Sequence, residues 1–196
     1  MSTLIIMGIS LVGCTTNKET STAAKETQYG TQQTQDTIPS QEMQIPKEFE
    51  YTNKEKWFTL KIPSERTFQE NAYESIVVVF APQGSGDTTK ENLGITSEKL
   101  TGNINLDTYY ELTKGNLENV IADMELVTKK NLEIDGHKAF GIIYKGTKGT
   151  QKLEREQVGC IIGDVAYIFT YTATQSTFDT FQKDIENIIV SFHLAQ

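Results

Sequence analysis

The chain has 196 residues, a net charge of −8 and a hydrophobic fraction of 37%. An acidic chain with no run of Lys and Arg is a poor match for a phosphate backbone or for anionic headgroups. Nucleic-acid binding is therefore not expected, and membrane attachment has to come from lipid and not from a basic patch. Two cysteines, Cys14 and Cys160, are too few for a disulfide framework, and the length allows a sizeable core without staples.

The chain opens on an apolar run, Leu4 to Ile9, which continues through Leu11 and Val12. It is too short to cross a bilayer, which takes about 20 apolar residues, but long enough for the apolar region of a signal peptide. Read instead as a core strand, it would be cut off from any domain by the polar stretch that follows. Met1-Ser2-Thr3 carries no positive charge, which points to a start upstream of Met1 or to a misassigned initiator. The run closes on Leu11-Val12-Gly13-Cys14, which resembles the end of a bacterial lipoprotein signal. That resemblance implies that residues 1–13 are removed and that Cys14 carries a thioether diacylglycerol. The expected location is then the extracytoplasmic face of the cell membrane, with the lipid on Cys14 as the contact to the bilayer. Two acyl chains anchor stably where one is marginal.

Residues 15–45 are rich in Thr, Gln, Ser, Lys and Glu and show no apolar periodicity. Such a segment cannot bury enough apolar surface to offset its ordering entropy. Residues 14–48 are therefore expected to form a disordered tether with a mean span of about 30 Å. A single folded domain is expected over residues 49–196.

In that domain Trp57-Phe58-Thr59-Leu60-Lys61-Ile62-Pro63 alternates and stops at proline, as a strand does. Ser75 to Pro82 holds the β-branched run of a second strand, and Gln83 to Asp87 is a loop. Asn92 to Leu100 is a third strand. The spacing of Tyr109, Tyr110, Leu112, Leu117, Val120 and Ile121 predicts a helix over Asp107 to Asp123, with Thr108 and Glu111 at capping-box spacing. Four strands follow: Met124 to Ile134, His137 to Gly146, Leu153 to Ile162 and Val165 to Thr174. Asp135-Gly136 and Gly163-Asp164 are the tight turns between neighbours. A closing helix, Thr177 to Phe192, carries the stripe Phe178, Phe181, Ile185, Ile188, Ile189 and Phe192, with Asp179 near its positive end.

Val165 to Tyr171 is apolar on both faces, so helices should cover both sides of the sheet. Short connections make the pairing antiparallel. The expected class is α+β: an antiparallel sheet of about six or seven strands with helices packed on its faces. This order of elements is similar to the Mog1/PsbP-like fold. The likeness rests on Trp57 to Pro63, the helix with Tyr109 and Tyr110, the Ile134-Asp135-Gly136-His137-Lys138-Ala139 hairpin, and Tyr167 to Thr172 leading into Phe181, Ile185, Ile188 and Ser191-Phe192. It implies a non-catalytic binding or assembly protein, as in relatives that are bacterial lipoproteins. It carries over no functional residues.

Chemistry is sparse. His137 and His193 have no second His or Cys at metal-ligand spacing, and Gly84-Ser85-Gly86 lacks the strand-to-helix setting of a nucleophile elbow. Gly84 to Lys90 leads to a strand and lacks phosphate-loop spacing. Cys160 lies in an apolar strand run, where a cysteine is a small hydrophobe, and the neighbouring Lys152 and Arg155 are interleaved with acids. Asp179, Asp184 and Glu186 read as a solvated helix face. The aromatics Tyr109, Tyr110, Tyr167, Phe169, Tyr171, Phe178 and Phe181 read as core rather than as a ligand groove. No catalytic, cofactor or metal residue is assigned, and Cys14 is the one site residue, for lipidation. The expected role is a membrane-anchored binding or accessory module of the cell envelope, holding an unidentified envelope protein or a small ligand. The alternatives are an envelope hydrolase with a site assembled in space and a structural envelope protein.

Overall fold

The structure, a computed structural model, describes residues 47–55, 58–84, 89–121 and 123–195. Cys14, the signal segment, nearly all of the tether, Trp57 and the Ser85 end of the glycine loop lie outside the described residues.

Twelve elements follow in order: β1 (Glu48–Asn53), β2 (Phe58–Pro63), β3 (Thr67–Ala72), β4 (Ser75–Phe80), β5 (Asn92–Lys99), α1 (Leu106–Val120), β6 (Glu125–Ile134), β7 (His137–Lys148), β8 (Gln151–Ile162), β9 (Val165–Thr174), α2 (Phe178–Val190) and β10 (His193–Leu194). Seven strands form an antiparallel sheet in the order β3-β4-β5-β9-β8-β7-β6, and β1-β2-β10 form a smaller one. The α+β class and the helix-covered antiparallel sheet therefore match the sequence reading.

Tight turns set the register. Asp135 and Gly136 both take positive φ, 50° and 74°, which is the backbone of a two-residue turn matched to strand twist. The β3–β4 turn uses the same left-handed region at Tyr73 and Glu74, with φ of 51° and 60°, where neither residue is a glycine.

Because side chains alternate along each strand, the register sorts the large sheet into two faces. One face carries Leu93, Ile95, Val158, Cys160, Tyr167, Phe169 and Tyr171 and packs against α2 and the small sheet. The other carries Phe140, Ile142, Tyr144 and Ala166 and packs against Tyr109 and Tyr110 of α1. Each face thus has its own helix and its own apolar cluster.

Several details depart from the sequence reading. Three strands, β1, β3 and β10, were not expected. Five of the six residues of β3 are exposed, so it shows no in–out alternation, and β10 has only two residues. The strand read at Trp57 to Pro63 belongs to the small sheet, and β3 takes the edge place in the large one. Helix α1 ends at Val120 rather than Asp123: Ile121 turns to an extended conformation with its side chain buried, and Asp123 accepts from the backbone N–H of Thr147 at 2.8 Å. The cap is also different. Asn105 Oδ1 accepts from Thr108 N at 2.9 Å, so Thr108 is inside the first turn and not its cap.

Candidate functional site

The strand β8 puts charged residues where both faces are covered, and this creates two internal polar centres. Glu156 points to the α2 face and is 0% exposed. Lys130 on β6 brings its Nζ to 2.7 Å from Glu156 Oε1 and 2.7 Å from Glu186 Oε1 on α2, and Gln182 Nε2 reaches Glu156 Oε2 at 3.5 Å. Burial alone would lower the lysine pKa, but the two carboxylates outweigh it and hold it above its ordinary value. On the same face the buried Arg66 donates to Asp184 Oδ2 at 3.2 Å and lies 5.4 Å from the centre of the Phe181 ring. This centre closes on itself: each charge has an opposite charge beside it.

The α1 face is different. Arg155 is 1% exposed and stands directly across from Tyr144 on β7 and Thr172 on β9. Lys148, four residues along β7 from Tyr144, lies on the same face. Burial drives the Lys148 pKa down, and the neighbouring Arg155 charge adds to that; burial also lowers Arg155. Burial pushes the Tyr144 hydroxyl up to about 12. This centre is cationic and is not neutralised from within.

The residues singled out in the sequence are placed as follows. Cys160 is a free, fully buried thiol, pushed up to about 12 by burial and by the charge of Asp135. His137 and His193 are both exposed; the His193 ring meets the Asp135 carboxylate, which also accepts from Leu194 N at 3.1 Å. Asp179 lies in the first turn of α2, while Asp184 and Glu186 are drawn into the ion pairs above. Six of the seven aromatics are buried, and Phe181 is partly buried against the core. Tyr171 donates to the Phe178 carbonyl at 2.9 Å, which fixes the start of α2. Among the described residues no group of His, Cys, Asp and Glu could hold a metal ion, and no helix is long and apolar enough to cross a membrane.

The sequence reading missed Arg155 and Glu156 as internal residues. The signal was there in Leu153-Glu154-Arg155-Glu156-Gln157-Val158: charges in mid-strand, in a sheet already read as apolar on both faces, have to be buried.

These features define a class: an antiparallel sheet with one helix per face, braced by a side sheet that the C-terminal strand completes. The chain belongs to the family described as PsbP-like protein, whose family model matches residues 4–194. Among solved structures, LpqN of Mycobacterium tuberculosis, described as involved in cell envelope biogenesis, aligns with a TM-score of 0.63 at 14% identity, over 76% of this chain and 91% of that one. Cyanobacterial PsbP (CyanoP) of Synechocystis aligns with a TM-score of 0.58 at 13% identity, over 78% of this chain and 95% of that one. The Ran-binding protein Mog1p of Saccharomyces cerevisiae gives 0.54 at 9% identity, over 76% and 96%. At these identities the likeness is one of fold. Among curated proteins, none matches the chain.

Proposed function

We infer that this protein is a lipid-anchored accessory module of the cell envelope, tethered through Cys14 and residues 15–48 and acting by binding rather than by catalysis. The observation that carries the non-catalytic reading is the state of Cys160. A nucleophilic cysteine needs a stabilised thiolate and access to substrate. Cys160 is fully buried, and its pKa is pushed up to about 12. Family membership supports the same reading, as does the involvement of the structurally similar LpqN in cell envelope biogenesis.

Two measurements test it. Cys14→Ser should move the protein from the membrane to the soluble fraction; a variant that still fractionates with membranes sinks the anchor. In that variant Cys160 is the one remaining thiol of the two in the chain. It should resist a thiol-reactive dye under native conditions and react on unfolding. Rapid native labelling would revive the hydrolase reading.

A further inference from the structure

We propose that the Arg155 centre on the α1 face is a binding site for a small phosphate-type oxyanion. The argument starts from what the buried groups lack. Arg155 Nε and Nη1, Lys148 Nζ and Tyr144 Oη are all out of contact with solvent, and none has a hydrogen-bond partner. Each of these atoms can donate, and the arginine and lysine atoms can do nothing else. The ion pairs among the described residues involve neither cation. A buried charge is ordinarily paired, because leaving it unpaired carries the full desolvation penalty. A guanidinium cannot relieve that penalty by losing a proton. Here a second cation, Lys148 on the same face of the sheet, adds repulsion.

The set fits one chemistry. A planar guanidinium, an ammonium and a phenol on one face of two adjacent strands offer donors to the several acceptor oxygens of a tetrahedral anion. Thr172, buried beside Arg155 on β9, offers a further hydroxyl. Gln157, one alternation along β8, adds a buried and unpartnered Oε1 to the same wall. That acceptor suits an anion that keeps an O–H, as hydrogen phosphate does. The α2 face is the internal control for charge: Glu156 is matched by Lys130 at 2.7 Å, and Arg66, whose Nε and Nη1 are likewise unpartnered, still has Asp184 at 3.2 Å. The proposal does not rest on lipidation of Cys14, so either can fail alone.

The test is thermal unfolding and titration calorimetry of the full chain with inorganic phosphate, against chloride at matched ionic strength. Phosphate should raise Tm in proportion to ln(1 + [L]/Kd). Lys148→Met should weaken phosphate binding by about tenfold or more, since it removes a charge-assisted hydrogen bond. Arg155→Met should abolish binding; it should still fold, because an apolar side chain of similar volume replaces an unpaired charge. A parallel arm with glycerol phosphate separates the sources. Tighter binding of the ester points to a headgroup or sugar phosphate, tighter binding of the free ion to inorganic phosphate, and both support the site. The Arg155 Nε–H resonance should shift at saturation. No Tm rise with either ligand, or an equal rise in Lys148→Met, overturns the proposal.

Discussion

The two faces of the seven-stranded sheet handle buried charge in opposite ways. Under α2, Glu156 is closed by Lys130 and Arg66 by Asp184. Under α1, Arg155 and Lys148 face each other's charge with donors to spare. In the first arrangement every buried charge has its counter-charge, although Arg66 Nε and Nη1 have no hydrogen-bond partner, and the pairs hold the sheet to its helix. The second is incomplete as protein alone. The difference teaches that burial of charge does not by itself mark a site, whereas burial of charge without a counter-charge does.

The contrast can be broken first at its strongest point. Lys130→Met should leave Glu156 buried without its cation and destabilise the fold by about 3–5 kcal/mol, the usual penalty for halving a buried pair. Arg155→Met in phosphate-free buffer should be neutral or stabilising. Chemical denaturation of both variants reads the difference, and equal losses would erase the distinction between the faces.

A smaller effect tests the packing under α1. Phe140 lies over Gly159 on the neighbouring strand, so closely that an added Cβ would meet the ring. Gly159→Ala should overpack this face and cost about 1–3 kcal/mol. The same change at Gly149, where nothing lies within 4 Å, meets no neighbour and is opposed only by its φ of 62°.

Alkaline titration sharpens the comparison through sign. Lys130 has a raised pKa in the folded state, so its stabilisation is fully present below the ordinary lysine value of 10.5 and is lost as pH rises through the raised one. Lys148 has a lowered pKa, so the unfolded chain binds more protons between that value and 10.5, and stability rises with pH in that window. Comparing each Lys→Met variant with the parent across this range should give slopes of opposite sign. Slopes of the same sign would mean that Lys148 is paired after all.

The smallest effect concerns the edge. Glu74 holds φ of 60° in the β3–β4 turn. Glu74→Gly should relieve part of that conformational penalty, offset by the greater freedom of glycine in the unfolded chain, for a net gain of no more than about 1 kcal/mol. A loss in Tm would show that the Glu74 side chain contributes more than its backbone costs.

How much of this was legible in the sequence depends on whether the signal was local. Val165 to Thr174, with apolar residues on both sides, announced a sheet covered on two faces, and Asp135-Gly136 announced its hairpin. The α2 stripe from Phe178 to Phe192 was equally plain. β3 was not, because Thr67-Phe68-Gln69-Glu70-Asn71-Ala72 lies on an edge and is exposed along most of its length, and its turn is made by Tyr73 and Glu74 rather than by glycine. The second sheet was not either, since Thr59 meets His193 only through the tertiary fold. The Arg155 centre was half visible. Its residues could be seen in mid-strand, and alternation puts Arg155 and Glu156 on opposite faces, but that Arg155 stands opposite Tyr144 follows from register alone.

The small sheet also orders events in time. Lys61 N donates to Ser191 Oγ across 130 positions of sequence, and β10 reaches back to β2 while Asp135 takes hold of Leu194 N. Such a long loop closes late and slowly. As the chain emerges from synthesis, β1 and β2 can pair as a hairpin early, but they have no third partner until residues 191–194 exist. The joint between the two sheets is therefore the last to be made, and a ribosome that stalls short of residue 191 would leave the apolar side of β2 uncovered.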